Sequence, residues 1–210
     1  MEASPPGVYP LTFSFWVKPN SLVTNARMLT LQLSTASSTL QQHALRVNSS
    51  GGVQCSIVNN VGGSTANTTN NMTVGVWQHI FSAQPDLNTM NAFLNGTGKA
   101  SLSGSLNPSA PDRLTVGATA GSTVTAPFDG LIAELGVWNV ALDDSIAPIL
   151  ATGISPLLVQ PNNLIAYWPF FGNNSPENNL KSNSATMSIV GSLSKAAHPR
   201  IFMPRHRLVA

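Results

Sequence analysis

Charge is what this sequence has least of. Asp, Glu, Lys and Arg together make up 9% of its 210 residues, against about 25% in an average soluble protein. A chain kept unfolded by self-repulsion is thereby excluded, and 42% hydrophobic residues are enough to fill a core. Its polarity comes from Asn, Ser, Thr and Gln, and so weakly charged a surface suits a protein that works assembled with others. Cysteine occurs once, as Cys55 in "GVQCSIV". That excludes an internal disulfide and a cysteine-built zinc site, and the position reads as a buried, inert thiol. No apolar run approaches the roughly 18 residues that span a bilayer. The opening "MEASPPGVYP" has neither the basic nor the apolar segment of a secretion signal, so synthesis in a cytoplasm as a soluble protein is the expectation.

Catalytic patterns are missing too. Glycoside hydrolysis needs two carboxyl groups about 5 to 9 Å apart. On a strand that calls for alternating carboxylates, and Glu134 in "GLIAELGVWNVALDD" has only Ile132 and Gly136 at its alternate positions. It reads as one polar residue on a partly solvated sheet face, paired at most with a basic neighbour. His43, His79, His198 and His206 are scattered, and none stands beside a nucleophile elbow. His79 in "VWQHIF" reads as a structural histidine. No catalytic residue is assigned.

What is present is a series of short alternating runs separated by Gly, Asn, Pro and Ser clusters, the signature of many strands. In "LTFSFWV", Leu11, Phe13, Phe15 and Val17 face one side, and Thr12, Ser14 and Trp16 the other. "MNAFLNG" runs into Asn95-Gly96, a pair suited to a tight hairpin. "RLTVGA", "GLIAELGVW" and "NLIAYWPF" follow as strands. Residues 51–72 read as two short strands joined by an exposed Gly/Asn/Thr-rich loop. One short helix is expected near 143–152, capped by Asp143, with Pro148 near its first turn and Gly153 past its end.

Net charge is +2, unevenly placed. After Glu177 there are only basic residues, Lys181, Lys195, Arg200, Arg205 and Arg207, whereas residues 1–177 hold five basic and eight acidic ones. In the ending "HPRIFMPRHRLVA", Arg200, Arg205 and Arg207 form a partner-docking candidate. No aromatic stacking platform accompanies them, so nucleic acid is not an expected partner. Matches to the Asn-x-Ser/Thr pattern at Asn48, Asn67, Asn71, Asn95 and Asn173 carry little weight in so Asn-rich a chain.

"PLTFSFWVKPNS", "VWQHIFSAQ" leading to "NAFLNG", "DRLTVGA" and "FDGLIAELGVWNVAL", in this order, resemble the laminin-G-like members of the concanavalin A-like lectin/glucanase superfamily over roughly residues 9–170. The resemblance implies an all-β, two-sheet antiparallel jelly-roll sandwich, here a domain over 9–197 between an N-terminal stub (1–8) and a basic tail (198–210). Such domains often hold one calcium ion, a cation that takes several oxygen ligands, and Asp86, Asp112 and Asp129 are the candidates. Otherwise no cofactor is expected. A sugar ring usually stacks on an aromatic side chain, which makes Trp16, Trp77, Trp138 and Trp168 candidate platforms. All four sit in strand-like runs where aromatics fill cores, so at most one should be exposed.

"ATGISPLLVQPNNLIAYWPF" and "HPRIF" resemble superfamily proteins found in bacteriophage and environmental viral genomes. The expected function is therefore a non-enzymatic structural protein of a virus particle, a head decoration or cement protein or a fibre-type appendage. Its expected place is the virion surface, its partners shell or appendage proteins and further copies of itself, with no membrane partner. The alternative is a carbohydrate-binding adhesion module, for which the partner is a glycan.

Overall fold

In a computed structural model, described over residues 2–3 (backbone), 9–35, 42–106, 109–120, 123–172, 176–181, 186–188 and 196–202, the alternating runs become strands. In chain order these are β1 (Glu2–Ala3), β2 (Leu11–Pro19), β3 (Arg27–Gln32), β4 (Gln42–Val47), β5 (Gly52–Val58), β6 (Gly63–Asn71) and β7 (Gln78–Gln84). There follow β8 (Thr89–Leu94), β9 (Thr97–Ser103), β10 (Arg113–Val116), β11 (Thr119–Ala120), β12 (Val124–Thr125), β13 (Gly130–Trp138), helix α1 (Ile146–Ala151), a 3-10 turn (Pro156–Leu158) and β14 (Leu164–Trp168). Two six-stranded antiparallel sheets result, the first in the order β1-β10-β3-β4-β5-β6 and the second β14-β13-β2-β7-β8-β9. This is the expected jelly-roll sandwich. No described helix is long and apolar enough to cross a membrane.

Alternation decides what lies between the sheets. Leu11, Phe13, Phe15 and Val17 of β2 are wholly buried. They pack with Leu29, Leu31, Leu45, Val53, Cys55, Ile80, Leu94, Leu135 and Trp168 in one continuous core. The other face of the second sheet is also apolar. Phe81, Phe93, Trp138, Leu164 and Tyr167 stand on it, and Leu142, Ala147, Leu150 and Val159 from the helical segment cover it as a second core. Two polar ties fix that cover: Trp138 Nε1 donates to Val159 O (2.7 Å), and Thr12 Oγ1 donates to Val140 O (2.7 Å) while accepting from Leu142 N (2.9 Å).

Three local readings are corrected. Residues 51–72 hold no long loop: the polar stretch "GSTANTTNN" is itself edge strand β6, and only residues 59–62 connect it to β5. Threonine favours extended backbone, and an exposed polar strand is a safe sheet edge. The helix begins at Ile146, with Ser145 at its N-cap, because Asp143 is used one turn earlier: its Oδ1 accepts from Ser145 N (2.9 Å). Glu134 is not on a solvated face. It is the extra residue of a bulge where β13 shifts register against β2, has φ +60°, and is 2% exposed.

Glu134 ties the end of the chain to the second sheet. The Tyr167 hydroxyl donates to its carboxylate, and His198 Nε2 lies 3.3 Å from Oε1 while donating to Pro169 O at 2.8 Å. Nearby, Trp77 Nε1 donates to Ala197 O (3.1 Å), and Phe202 N donates to Gly153 O (2.7 Å). Residues 197–202 thus run packed against the domain. At the other terminus Glu2–Ala3 pairs with β10 at the edge of the first sheet.

Asn95 (φ +54°) and Gly96 (φ +72°) form the β8–β9 hairpin as expected, and its tip presses on helix α1. A Cβ at position 96 would stand 2.4 Å from Pro148 Cα. Gly96→Ala is therefore expected to lower stability by about 1–3 kcal/mol in urea denaturation. A second expectation concerns pH. Burial is the largest influence on Glu134 and raises its pKa, outweighing the Tyr167 hydrogen bond and His198, so the folded state holds this proton more tightly than the unfolded chain. Its contribution is complete below the ordinary value of 4.5 and is lost as pH rises through the raised folded value. Relative to Glu134→Gln, the wild-type urea midpoint should fall between about pH 4 and about pH 8, and a constant difference would contradict this.

Candidate functional site

The outer face of the first sheet is the polar one, and register builds it row by row, with Thr30, Ala44 and Ser56 buried and Arg46, Gln54, Thr65 and Asn67 part-exposed or exposed. Thr115, Thr30, Ala44, Ser56 and Thr65 pair in sequence across β10, β3, β4, β5 and β6, giving a row of short side chains. Flanking it on one side are Arg113, Gln32, Gln42 and Val58, and on the other Arg27, Arg46, Gln54 and Asn67. Successive rows are about 6.8 Å apart along the strands. Short hydroxyls thus form a trough between two ridges of guanidinium and amide groups.

The β11–β12 hairpin closes one side. Thr30 Oγ1 donates to Ala118 O (3.2 Å), Ala120 N donates to Gln32 Oε1 (3.2 Å), and Arg113 Nη1 donates to Ala120 O (2.6 Å). Along the other ridge Arg46 Nε donates to Gln54 Oε1 (2.5 Å), whose Nε2 donates to Asn67 Oδ1 (2.7 Å). Much of this surface is polar yet shielded: Thr30, Ser56, Thr115 and Gln32 are each 2% exposed or less.

Shielding leaves polar atoms without protein partners. Arg27 Nε, Gln32 Nε2, Ser56 Oγ and Thr115 Oγ1 belong to this face, and Thr119 Oγ1 and Thr125 Oγ1 to the hairpin tied to it. An unsatisfied buried donor or acceptor costs about 1–3 kcal/mol, and the accessible polar groups of this face are those of Arg46, Gln54, Thr65 and Asn67. Hydroxyls and amides can both donate and accept, which suits a ligand that does both.

The residues expected from the sequence lie elsewhere. Trp138 and Trp168 are 0% and 1% exposed and are corrected to core residues, because their positions face the second and first core respectively. Trp16 is half-buried and packs edge-on against His79 at 5.3 Å. Trp77 is half-buried and lines a hollow of about 50 Å³ with Leu131, Ala133, Phe170, Phe171 and His198. Small-molecule pockets are usually about 300 Å³ or more. That hollow is thus too small to enclose a sugar ring.

Asp86, Asp112 and Asp129 do not converge, and no group of three or more His, Cys, Asp or Glu residues able to hold a metal occurs among the described residues. Each aspartate ties down its own loop instead. Asp86 accepts from Asn88 N, Asp112 from Ser34 N and Oγ, and Asp129 from Asn20 and Ser21, which hold its pKa low. Arg200 is exposed, while Arg205 and Arg207 lie outside the described residues.

Nucleophile chemistry has one geometric candidate. Ser14 Oγ and His79 Nε2 are 2.7 Å apart, but both residues are shielded, and burial drives the histidine's pKa down to about 3. No carboxylate orients the ring, and its Nδ1 has no partner. The pair is a packing contact in the second sheet. Glu134 is held by a tyrosine and a histidine, with no second carboxylate among its partners.

Against known proteins, a family model of laminin-G type, described as Concanavalin A-like lectin/glucanases superfamily, matches residues 4–145. No functionally curated protein matches the chain. Among solved structures, the CBM40 domain of a Ruminococcus gnavus IT-sialidase, bound to α2,3-sialyllactose, is similar at 19% identity and TM-score 0.59, over 69% of this chain and 83% of that one. The SAP-like pentraxin of Limulus polyphemus is similar at 16% identity and TM-score 0.56, over 89% and 94%. The enzymatically active domain of tailspike protein 2 from bacteriophage CBA120 is similar at 16% identity and TM-score 0.58, over 81% of this chain and 28% of that one. Sheet order, the two-sided core and the matched span agree, and the chain belongs to the concanavalin A-like lectin/glucanases superfamily.

Proposed function

We propose that this protein is a non-catalytic carbohydrate-binding domain whose ligand lies on the outer face of the first sheet. The observation that carries the reading is the row Thr115-Thr30-Ala44-Ser56-Thr65 between its guanidinium and amide ridges, with shielded hydroxyl and amide atoms that have no protein partner. Saccharides present dense hydroxyls that pair with amide and guanidinium groups, and Arg46, Gln54, Thr65 and Asn67 are the accessible members of these rows. The CBM40 domain bound to sialyllactose shares the fold and lends support. The non-enzymatic reading is supported by Glu134, which would need a second carboxyl group about 5 to 9 Å away and instead has tyrosine and histidine partners.

The protein binds its sugar through direct hydrogen bonds, so ridge residues matter more than the tryptophans. On a glycan array followed by calorimetry with the best ligand, Gln54→Ala should weaken binding about tenfold, equivalent to about 1.4 kcal/mol. Trp77→Ala should leave it within about twofold. The opposite ranking would transfer the site to the hollow beside Trp77, and silence across the array would overturn the reading.

A place on a virus particle is the second reading, favoured by the likeness to a bacteriophage tailspike domain and by the weakly charged composition. In it the domain is made in the host cytoplasm and carried on the virion surface, as a head decoration or cement protein or a fibre-type appendage. Its partners are shell or appendage proteins and further copies of itself, and the glycan face stays outward. Mass spectrometry of gradient-purified particles should find the protein at a fixed ratio to the main shell protein. Its presence only as free protein would sink this placement and leave the sugar-binding reading intact.

A further inference from the structure

The outer ridge of the first sheet holds two positive charges side by side. Arg27 and Arg46 are cross-strand partners, at the bulge where β3 shifts register against β4 between Arg27 and Leu29. Cross-strand neighbours on one face have Cβ atoms about 5 Å apart, and like charges so placed repel. Arg27 is 5% exposed, and its pKa is lowered to about 10, first by burial and then by Arg46. Its Nη1 donates to Asn25 O (2.9 Å), while Nε is buried with no partner. Arg46 spends Nε on Gln54 Oε1, and neither of its terminal nitrogens makes a protein hydrogen bond.

Among the described residues no carboxylate neutralises the pair: Arg27 and Arg46 take part in no ion pair there, although Lys99 with Asp144 and His198 with Glu134 do so elsewhere. A shielded guanidinium normally stands beside a carboxylate, because its charge is costly to desolvate alone. In so weakly charged a chain, two adjacent uncompensated arginines are hard to explain by packing. Arg46 has already been oriented by Gln54, and its free planar edge matches a carboxylate in a two-point contact.

We propose that Arg27 and Arg46 receive the carboxylate of an acidic saccharide whose neutral hydroxyls lie along the exposed continuation of the same ridge, Gln54 and Asn67. This rests on the carbohydrate-binding reading and names its ligand class, a carboxylated sugar. The two guanidiniums give the charge contact, and the Gln54-Asn67 ridge continues beside the sugar. Bound ligand relieves the repulsion between the arginines, so affinity falls as salt screens the contact.

The test uses the full chain and two matched pairs of probes: oligogalacturonate with its methyl ester, and 3′-sialyllactose with lactose. In calorimetry at low salt, the carboxylated member of at least one pair should bind at least about tenfold more tightly, with the difference shrinking at about 1 M salt. Arg46→Gln should remove that preference, so that acidic and neutral members bind alike, while leaving the thermal midpoint unchanged. If Arg46→Gln fails to fold, Arg46→Lys, which keeps the charge but loses the planar fork, should still reduce the preference. Equal binding of acidic and neutral members, or a preference unaltered in either variant, overturns the arginine assignment and leaves carbohydrate binding standing. Silence of all four probes and of the glycan array overturns both.

Discussion

Strand alternation in a chain with few charges is the constraint on which the rest depends. When one face of a strand is apolar, it must find a second layer, and in this protein the first sheet supplies that layer for β2, β7, β8, β13 and β14. The second sheet is apolar on its other face as well, through Phe81, Phe93, Trp138 and Tyr167. A two-layer sandwich would leave those rings in water. The segment after β13 therefore folds back as α1 and a 3-10 turn, adding a third layer over one sheet only. The outer face of the first sheet carries polar rows instead, and its accessible part is the ridge of Arg46, Gln54 and Asn67.

Polar rows in a sheet are cheap only when water or a partner completes their hydrogen bonds. Thr30 Oγ1 and Gln32 Oε1 find theirs at Ala118 and Ala120. Ser56 and Thr115 do not, although both are shielded. Replacing those hydroxyls with alanine or valine would remove that cost without disturbing the core, since they point away from it. The face thus keeps polar groups that the core does not require.

Much of the fold was legible in the sequence, because its signals are local. "LTFSFWV" alternates cleanly, and Asn95-Gly96 marks a hairpin by backbone preference alone. Readings failed where the answer depended on what lies opposite. Trp138 and Trp168 look alike as aromatics in strands, yet one faces the second core and the other the first, and neither reaches a ligand. "GSTANTTNN" resembles a loop by composition and becomes a strand only because β5 offers it an edge. Glu134 reads as a solvated residue if the strand is regular, but the bulge turns it inward to Tyr167 and His198. The candidate site was invisible for a related reason: "RMLTLQ", "QHALRV", "GVQCSIV" and "RLTV" each offer two or three modest polar residues, and only the register assembles them into rows.

Glu134 is not placed as the carboxylate of a glycoside hydrolase would be. A catalytic carboxylate must meet the ligand and a second carboxyl group, whereas this one is enclosed and meets a phenol. Burial raises the proton affinity of both groups, so the pair favours the hydrogen-bonded state over the ionised one. It fastens the segment around His198 to the second sheet, on the side of the sandwich opposite the polar rows. From β10 to β6 the three rows of the first sheet present guanidinium, amide and hydroxyl groups, and Glu2 of β1 stands in register beside Thr115.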